Sequence, residues 1–255
     1  VDSFAWHIMM RLRRDAVIAP SPEHRRAVAR VFHRKGRAFG LLAFSAADTH
    51  LHSLVCCGRE NAGEFARRVE ISLHHHIPLH TGFSPAHLVP VRDQHHLERT
   101  FHYIHDQQRR HGLRNDPLHD GSSLADLLGL RVGFPGLGGR VEEHLPRLTQ
   151  QSLWSHLELG TAETRPIRLE NLLAAGLSAT GGRSNHKQDL ALARAAVIQA
   201  VGAEVPIREL MKELQCGKST IARLRNHPVS PDLPSAVRTQ LKLRLRLLQS
   251  EPQAA

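Results

Sequence analysis

The chain is short of several things that whole classes of protein require. Three cysteines, Cys56, Cys57 and Cys216, make neither a disulfide framework nor a spaced zinc motif. The adjacent pair at a strand end reads as two small buried residues. No apolar run approaches the roughly 18–20 residues that cross a bilayer, and no basic region followed by an apolar core opens the chain. A soluble, cytoplasmic protein with no membrane partner is expected. Acidic residues are scarce beside basic ones, 24 against 34, leaving a formal charge of +10 and a pI near 10.6. Such a field attracts polyanions and makes nucleic acid the leading class of partner. Aromatic residues are only 4% of the chain, and a single tyrosine, Tyr103, occurs in 255 residues.

What is present is enough for a sizeable core. At 41% hydrophobic content and 255 residues, two domains, or one with a large extension, are expected. Charge is unevenly spread. Residues 1–113 and 205–248 each carry a net +6, while 114–204 are nearly neutral with 9 basic and 10 acidic residues. Two basic modules joined by a neutral spacer suit two separate nucleic-acid contacts.

Phe4, Trp6, Ile8, Met10 and Leu12 alternate with more polar neighbours and predict a half-buried strand. Ser21-Pro22-Glu23 opens a helix whose apolar residues are Val28, Val31 and Phe32, with Gly36 at its end. Two strands are expected over Phe39–Ser45 and Thr49–Cys57. A helix capped by Asn61, with Glu64 three residues on, runs to Pro78. Ala86–Arg92 reads as a strand whose Pro90 points to a sheet edge. Asp93 then caps a helix over Gln94–His111, with Leu97, Phe101 and Ile104 on its buried stripe. Ser122-Ser123-Leu124-Ala125-Asp126 predicts a capping box and a short helix, and Ser178–Asn185 reads as a linker. This order predicts a ferredoxin-like, RNA-recognition-like α/β sandwich, followed by a mainly helical region.

The chain carries 20 histidines, enough for one or two His-x-His patterns by chance. His74 and His76 form one such pair. His50-Leu51-His52 is different, because it falls on a strand, where alternate side chains share a face and two imidazoles lie side by side, spaced for one metal ion. On the Asp93-capped helix, at about 100° per residue, Tyr103 and Gln107 lie one above the other at the edge of the buried stripe. Gln107 is a candidate third, oxygen ligand. His96, on the same line of the helix, is an alternative. Imidazole donors by themselves suit Mn, Zn or Ni.

A His-x-His strand beside a helix that bears one tyrosine and an amide four residues later resembles the active site of single-tyrosine HUH transposases, including those associated with repetitive extragenic palindromes. The resemblance covers roughly residues 4–130, on His50-Leu51-His52, Tyr103-Ile104 with Gln107, and more loosely Ser123 to Arg131. Where such proteins commonly have Met-Pro-Asn before the histidines, this chain has Ala47-Asp48-Thr49. The resemblance implies Tyr103 as nucleophile, a divalent Mg or Mn ion, and cleavage of single-stranded, hairpin-forming DNA to a 5′-phosphotyrosine and a free 3′-OH. It also implies a homodimer. Two rival readings are a DNA-binding regulator without catalysis and a metallohydrolase in which the tyrosine has no role.

In the C-terminal region, Ile207–Arg225 has the outline of a helix-turn-helix: Glu209–Leu214, a turn over Gln215–Lys218, then Ser219–Arg225. Lys218, Ser219, Thr220 and Arg223 stand at or near the start of the second helix, where major-groove readers place their contacts. Gln215 occupies the turn position where glycine is usual. The expected domains are 1–130 for the HUH module, 131–186 for a helical spacer and 187–250 for a duplex-DNA-binding module, closed by a basic helix from about Leu233.

Overall fold

The computed structural model describes residues 3–14, 16–110, 116–157 and 171–249. The chain divides into two compact units, Val1–Leu128 with Pro135–Leu157, and Gly129–Phe134 with Glu158–Ala255. An N-terminal α/β region built on a four-stranded antiparallel sheet is followed by a mostly helical region. Among the described residues no helix is long and apolar enough to cross a membrane.

The first unit starts with β1 (Ala5–Arg11), α1 (Pro22–Gly36), β2 (Leu41–Ala46), β3 (His50–Val55), α2 (Arg59–His76), β4 (His87–Val91) and α3 (Gln94–His105). The strands lie in the order β2-β3-β1-β4, all neighbours antiparallel. Pro90 lies on an edge strand, as its missing N–H requires.

The register separates the two faces of the sheet. Trp6, Ile8 and Met10 of β1 share a face with Leu51, Ser53 and Val55, all at most 8% exposed. On that side the ring of Phe44 stacks on Phe32 of α1 at 4.8 Å and 3°, and Phe65 of α2 lies 6.0 Å from Phe32. Truncating one of these rings to alanine costs about 3–5 kcal/mol. The other face carries His7, Met9 and Arg11 of β1 with His50 and His52 of β3. Helix α3 packs against β2, β3 and β4, with Leu97, Phe101 and Ile104 fully buried.

Several boundaries differ from expectation for local reasons. Phe39 leaves the strand for a short 3-10 turn, where its ring meets Phe65 at 5.6 Å and the Arg68 guanidinium at 5.4 Å. Gly40 then turns at φ 64°, and a Cβ there would lie 2.5 Å from the Cys56 carbonyl oxygen, so glycine is required. Helix α2 begins three residues early, with Gly58 at its N-cap, and Glu64 pairs with Arg67 and Arg68 instead of serving Asn61. Asp93 does cap α3, accepting from the His96 N–H at 2.8 Å.

The helix expected over Gln94–His111 is interrupted at Asp106. After it comes the four-residue α4 (Gln107–Arg110), and His111 lies outside the described residues. Ser123 does not cap its helix, α5 (Leu124–Leu127). Its hydroxyl instead accepts from the Phe44 N–H at 2.9 Å, while the Ser123 N–H donates to the Phe44 carbonyl and Ser122 bridges Ser45. Competition by the open edge of β2 for these polar groups displaced the capping box. Helices α6 (Leu137–His144) and α7 (Gln150–His156) complete the unit. The stretch 131–186, expected as a spacer, is therefore shared between both units.

Cys56 and Cys57 are half-buried rather than buried as expected, and partial burial raises the Cys56 thiol to about 12 and the Cys57 thiol to about 11, which keeps both protonated.

The second unit holds α8 (Leu172–Thr180), α9 (Lys187–Val201), α10 (Ile207–Glu213), α11 (Lys218–Arg225) and α12 (Asp232–Gln249). Their core is rich in alanine and valine, with Ala195, Ala196, Val197, Ala200 and Val201 of α9 almost fully buried beside Leu210, Ile221 and Val237. Small residues allow close helix approach. A Cβ on Gly176 would stand 2.6 Å from the Ala193 carbonyl oxygen, too near for any other side chain. The expected linker at Ser178–Asn185 is in part the end of α8. Gly182 N–H donates to the Leu177 carbonyl and Gly181 N–H to that of Ser178, a Schellman cap with Gly181 at φ 64°.

Candidate active site

The sheet face that α3 covers carries a cluster of histidines. His50 and His52 share it because strand side chains alternate, and their rings lie 4.7 Å apart, edge to face. His52 is 1% exposed and His50 half-buried. The Thr49 hydroxyl and His50 Nδ1 are 3.3 Å apart.

Helix α3 carries Tyr103 over this surface. Its ring lies 5.6 Å from that of His52 at 86°. The strand pair and the tyrosine, 51 positions apart along the chain, are thus brought together. Gln107 is only 4% exposed, and its amide nitrogen donates to the Tyr103 carbonyl at 2.7 Å, which leaves the carboxamide oxygen as an acceptor. The interruption at Asp106 alters the simple picture of two side chains stacked on one helix. Amide and phenol are instead tied through the backbone of Tyr103.

One residue of this surface escaped the sequence reading. His7, on β1, stacks on His52 with ring centroids 5.2 Å apart and an angle of 22°, and its Nε2 meets His52 Nδ1 at 3.0 Å. It also stands edge-on to Tyr103 at 5.5 Å. Burial first, then the nearby His87 and His96, lower its pKa to about 4, so the His7 ring is neutral at physiological pH. The signal available in sequence was the alternation of β1, which puts His7 in phase with Met9 and Arg11. That β1 lies beside the His-x-His strand is a matter of sheet order.

His96 is half-buried in the first turn of α3, and its Nδ1 accepts weakly from the Arg92 N–H at 3.4 Å. The second histidine pair is no site. His74 and His76 fall on α2, where residues two apart do not share a face, and both are exposed, with His76 against the Arg34 guanidinium at 2.6 Å.

Among the described residues no group of three or more His, Cys, Asp or Glu side chains is arranged to hold a metal ion. His50 and His52 present two imidazoles on one face, and imidazole nitrogens are donors that suit divalent transition ions.

Behind the site, buried side chains brace the end of α3. His105 Nδ1 donates to the Phe101 carbonyl at 3.0 Å and its Nε2 meets the Ser123 hydroxyl at 2.9 Å. His33 Nε2 lies 3.0 Å from Asp126, and Arg26 bonds Asp120 at 3.2 Å. The polar residues of 120–126 thus dock that segment on α1, β2 and α3.

In the helical unit, Lys218, Ser219 and Arg223 are exposed on α11, and Thr220 is half-buried. Ile221 and Leu224 bury the opposite side. Gln215 adopts φ 49°, the left-handed turn for which glycine is usual. The turn is held by Arg194 of α9, which donates to the carbonyls of Leu214 at 2.9 Å and Gln215 at 3.3 Å. Gln199 donates to the His227 carbonyl at 2.7 Å beyond the other end of α11. Neither support was recognisable in sequence.

No family model matches the chain, and no curated protein matches it. Among solved structures, that of a REP-associated tyrosine transposase bound to a REP hairpin is similar over 54% of this chain and 86% of its own, at 15% identity and a TM-score of 0.41. At that identity and score the likeness assigns no residue of this chain a role.

Proposed function

We propose that the protein is a single-tyrosine HUH transposase: a ferredoxin-like catalytic module that nicks and rejoins single-stranded, hairpin-forming DNA, with a helix-turn-helix module that holds flanking duplex. The observation that carries this reading is the convergence of the only tyrosine with His50 and His52 on one sheet face, the rings 4.7 and 5.6 Å apart.

His50 and His52 would hold the ion, with Gln107, or alternatively His96, as a third donor. A divalent Mg or Mn ion bound there would polarise a non-bridging phosphate oxygen and neutralise its charge. Tyr103 supplies the nucleophile. Its oxygen attacks phosphorus and loses the phenolic proton. The bond from phosphorus to the 3′-oxygen breaks, and that oxygen takes up a proton as a free 3′-OH. The resulting 5′-phosphotyrosine stores the bond until another 3′-OH attacks it and releases Tyr103.

Lys218, Ser219, Thr220 and Arg223 face duplex DNA in this scheme, supported by the exposure of three of them on the side of α11 away from its core. The net +6 of residues 1–113 and of 205–248 supports two DNA contacts. Action as a homodimer in the cytoplasm completes the proposal.

Incubation with a mixed single-stranded DNA library and Mn2+ or Mg2+, followed by a denaturing gel, tests it. A metal-dependent covalent protein–DNA adduct is the expected result. Turnover with no adduct supports a metallohydrolase, and DNA binding with neither adduct nor cleavage supports a regulator.

A further inference from the structure

We infer that His7 is a positioning residue that fixes the ring tautomer of His52 and so turns its Nε2 into a metal donor, an assignment that rests on the metal-dependent reading above. The observation is the 3.0 Å approach of His7 Nε2 to His52 Nδ1. When two imidazoles share a single hydrogen, the bond needs one N–H and one lone pair, which leaves two arrangements.

If His7 Nε2 carries the hydrogen, His52 accepts at Nδ1 and bears its own hydrogen on Nε2. Neither nitrogen of His52 is then open to a cation. If His52 Nδ1 carries the hydrogen, Nε2 keeps its lone pair and can ligate. Ligation by His52 therefore requires His7 as the acceptor, with its own hydrogen on Nδ1. Ligating imidazoles generally donate their second N–H to such a partner, which sets tautomer and ring angle together.

The surroundings suit this role. His52 is 1% exposed, so bulk water does not replace the acceptor. The His7 ring is held by stacking on His52 at 22° and by the edge contact with Tyr103 at 5.5 Å. The backbone fixes the approach as well, since His7 pairs with Leu54 and Met9 with His52 across the β1–β3 ladder. Metal ligand, its orienting partner and the nucleophile form one cluster of rings contributed by β3, β1 and α3, with His7 stacked on His52 and Tyr103 edge-on to both.

The test uses the full chain with 15N-labelled histidine. Long-range proton–nitrogen spectra identify the His52 ring by its loss in His52→Asn. The expected result is hydrogen on Nδ1 of His52 in the metal-free protein, the arrangement that leaves Nε2 able to ligate. Mn2+ binding is then followed by calorimetry in two variants. His7→Leu, which removes the acceptor, weakens binding by about 10–100-fold. His7→Gln, whose carboxamide oxygen reaches about as far as Nε2, restores most of it. Hydrogen found on Nε2 of His52 in the unsubstituted protein overturns the inference without recourse to any variant. Mn2+ binding in folded His7→Leu as tight as in the parent, while His52→Ala loses it, overturns it too. Failure of the underlying reading looks different: Mn2+ binding then survives removal of both His50 and His52.

Discussion

His52 lies 1% exposed on β3 with rings from β1 and α3 around it, whereas Lys218, Ser219 and Arg223 stand in solvent along a single eight-residue helix. The first arrangement depends on long-range pairing. His7 and His52 are 45 positions apart and meet only because β1 inserts between β3 and β4. The second is local, since one turn and one helix display its side chains, while the fold anchors that helix through buried Ile221 and Leu224 and the Arg194 and Gln199 braces. Chemistry on a phosphodiester needs several groups at defined separations in a partly dry place, while holding a duplex needs positive charge and hydrogen-bond donors on an accessible surface. Substitutions on the sheet face should therefore change events after binding, and those on α11 should change binding itself.

The sharpest way to break that comparison is Tyr103→Phe. Adduct formation should fall by about 10³-fold or more, while affinity for single-stranded DNA measured by fluorescence anisotropy stays within about twofold, because one oxygen and no charge is removed. An adduct persisting in this variant ends the nucleophile assignment. Next in size, His50→Ala combined with His52→Ala should remove metal-dependent cleavage and lower Mn2+ affinity in calorimetry by about 100-fold. His74→Ala with His76→Ala, the same composition change on α2, should do neither. If the second pair matters more, the strand argument is wrong.

A smaller effect distinguishes the third donor. Gln107→Ala should weaken Mn2+ binding by about tenfold, since water can replace one oxygen ligand, and His96→Ala should have less effect. The reverse ranking would transfer the ligand role to His96.

On the helical side, Lys218→Ala should reduce duplex affinity and lower the salt slope by about one counterion. Arg223→Ala should cost about 1–3 kcal/mol on a preferred duplex, and less on random sequence, if it reads a base. Neither change should alter nicking of a short single strand. A loss of nicking would mean that α11 belongs to the catalytic machinery. The smallest effect concerns Gln215 at φ 49°. Gln215→Gly should raise stability by roughly 0.5–1 kcal/mol, observable as a higher urea midpoint, by relieving the left-handed backbone.

Much of the architecture was legible in the residues. Alternation in β1, the Ser21 and Asp93 caps, and Pro90 on an edge strand all follow from local rules, and all are found. The breaks in this record occur where distant groups compete for the same atoms. Ser123 was expected to cap a helix but is bonded to Phe44, and the helix carrying Tyr103 ends at His105. Gly181 and Gly182 look like a linker in composition yet close α8 in a buried cap. A turn of two glycines has the same local signature in either setting, and only the packing around it tells them apart.

By itself, the sequence determined which side chains are available and how they are spaced: two imidazoles two apart on a strand, one phenol on an amphipathic helix, and two basic segments. Period-2 and period-3.6 geometry made those statements secure without knowledge of any partner. Tertiary structure alone decided that β1 lies beside β3, that His7 joins the pair, and that the tyrosine ring stands 5.6 Å from His52. Local propensity says nothing of strand order, because that is set by which apolar faces can be buried together once helices cover both sides of the sheet.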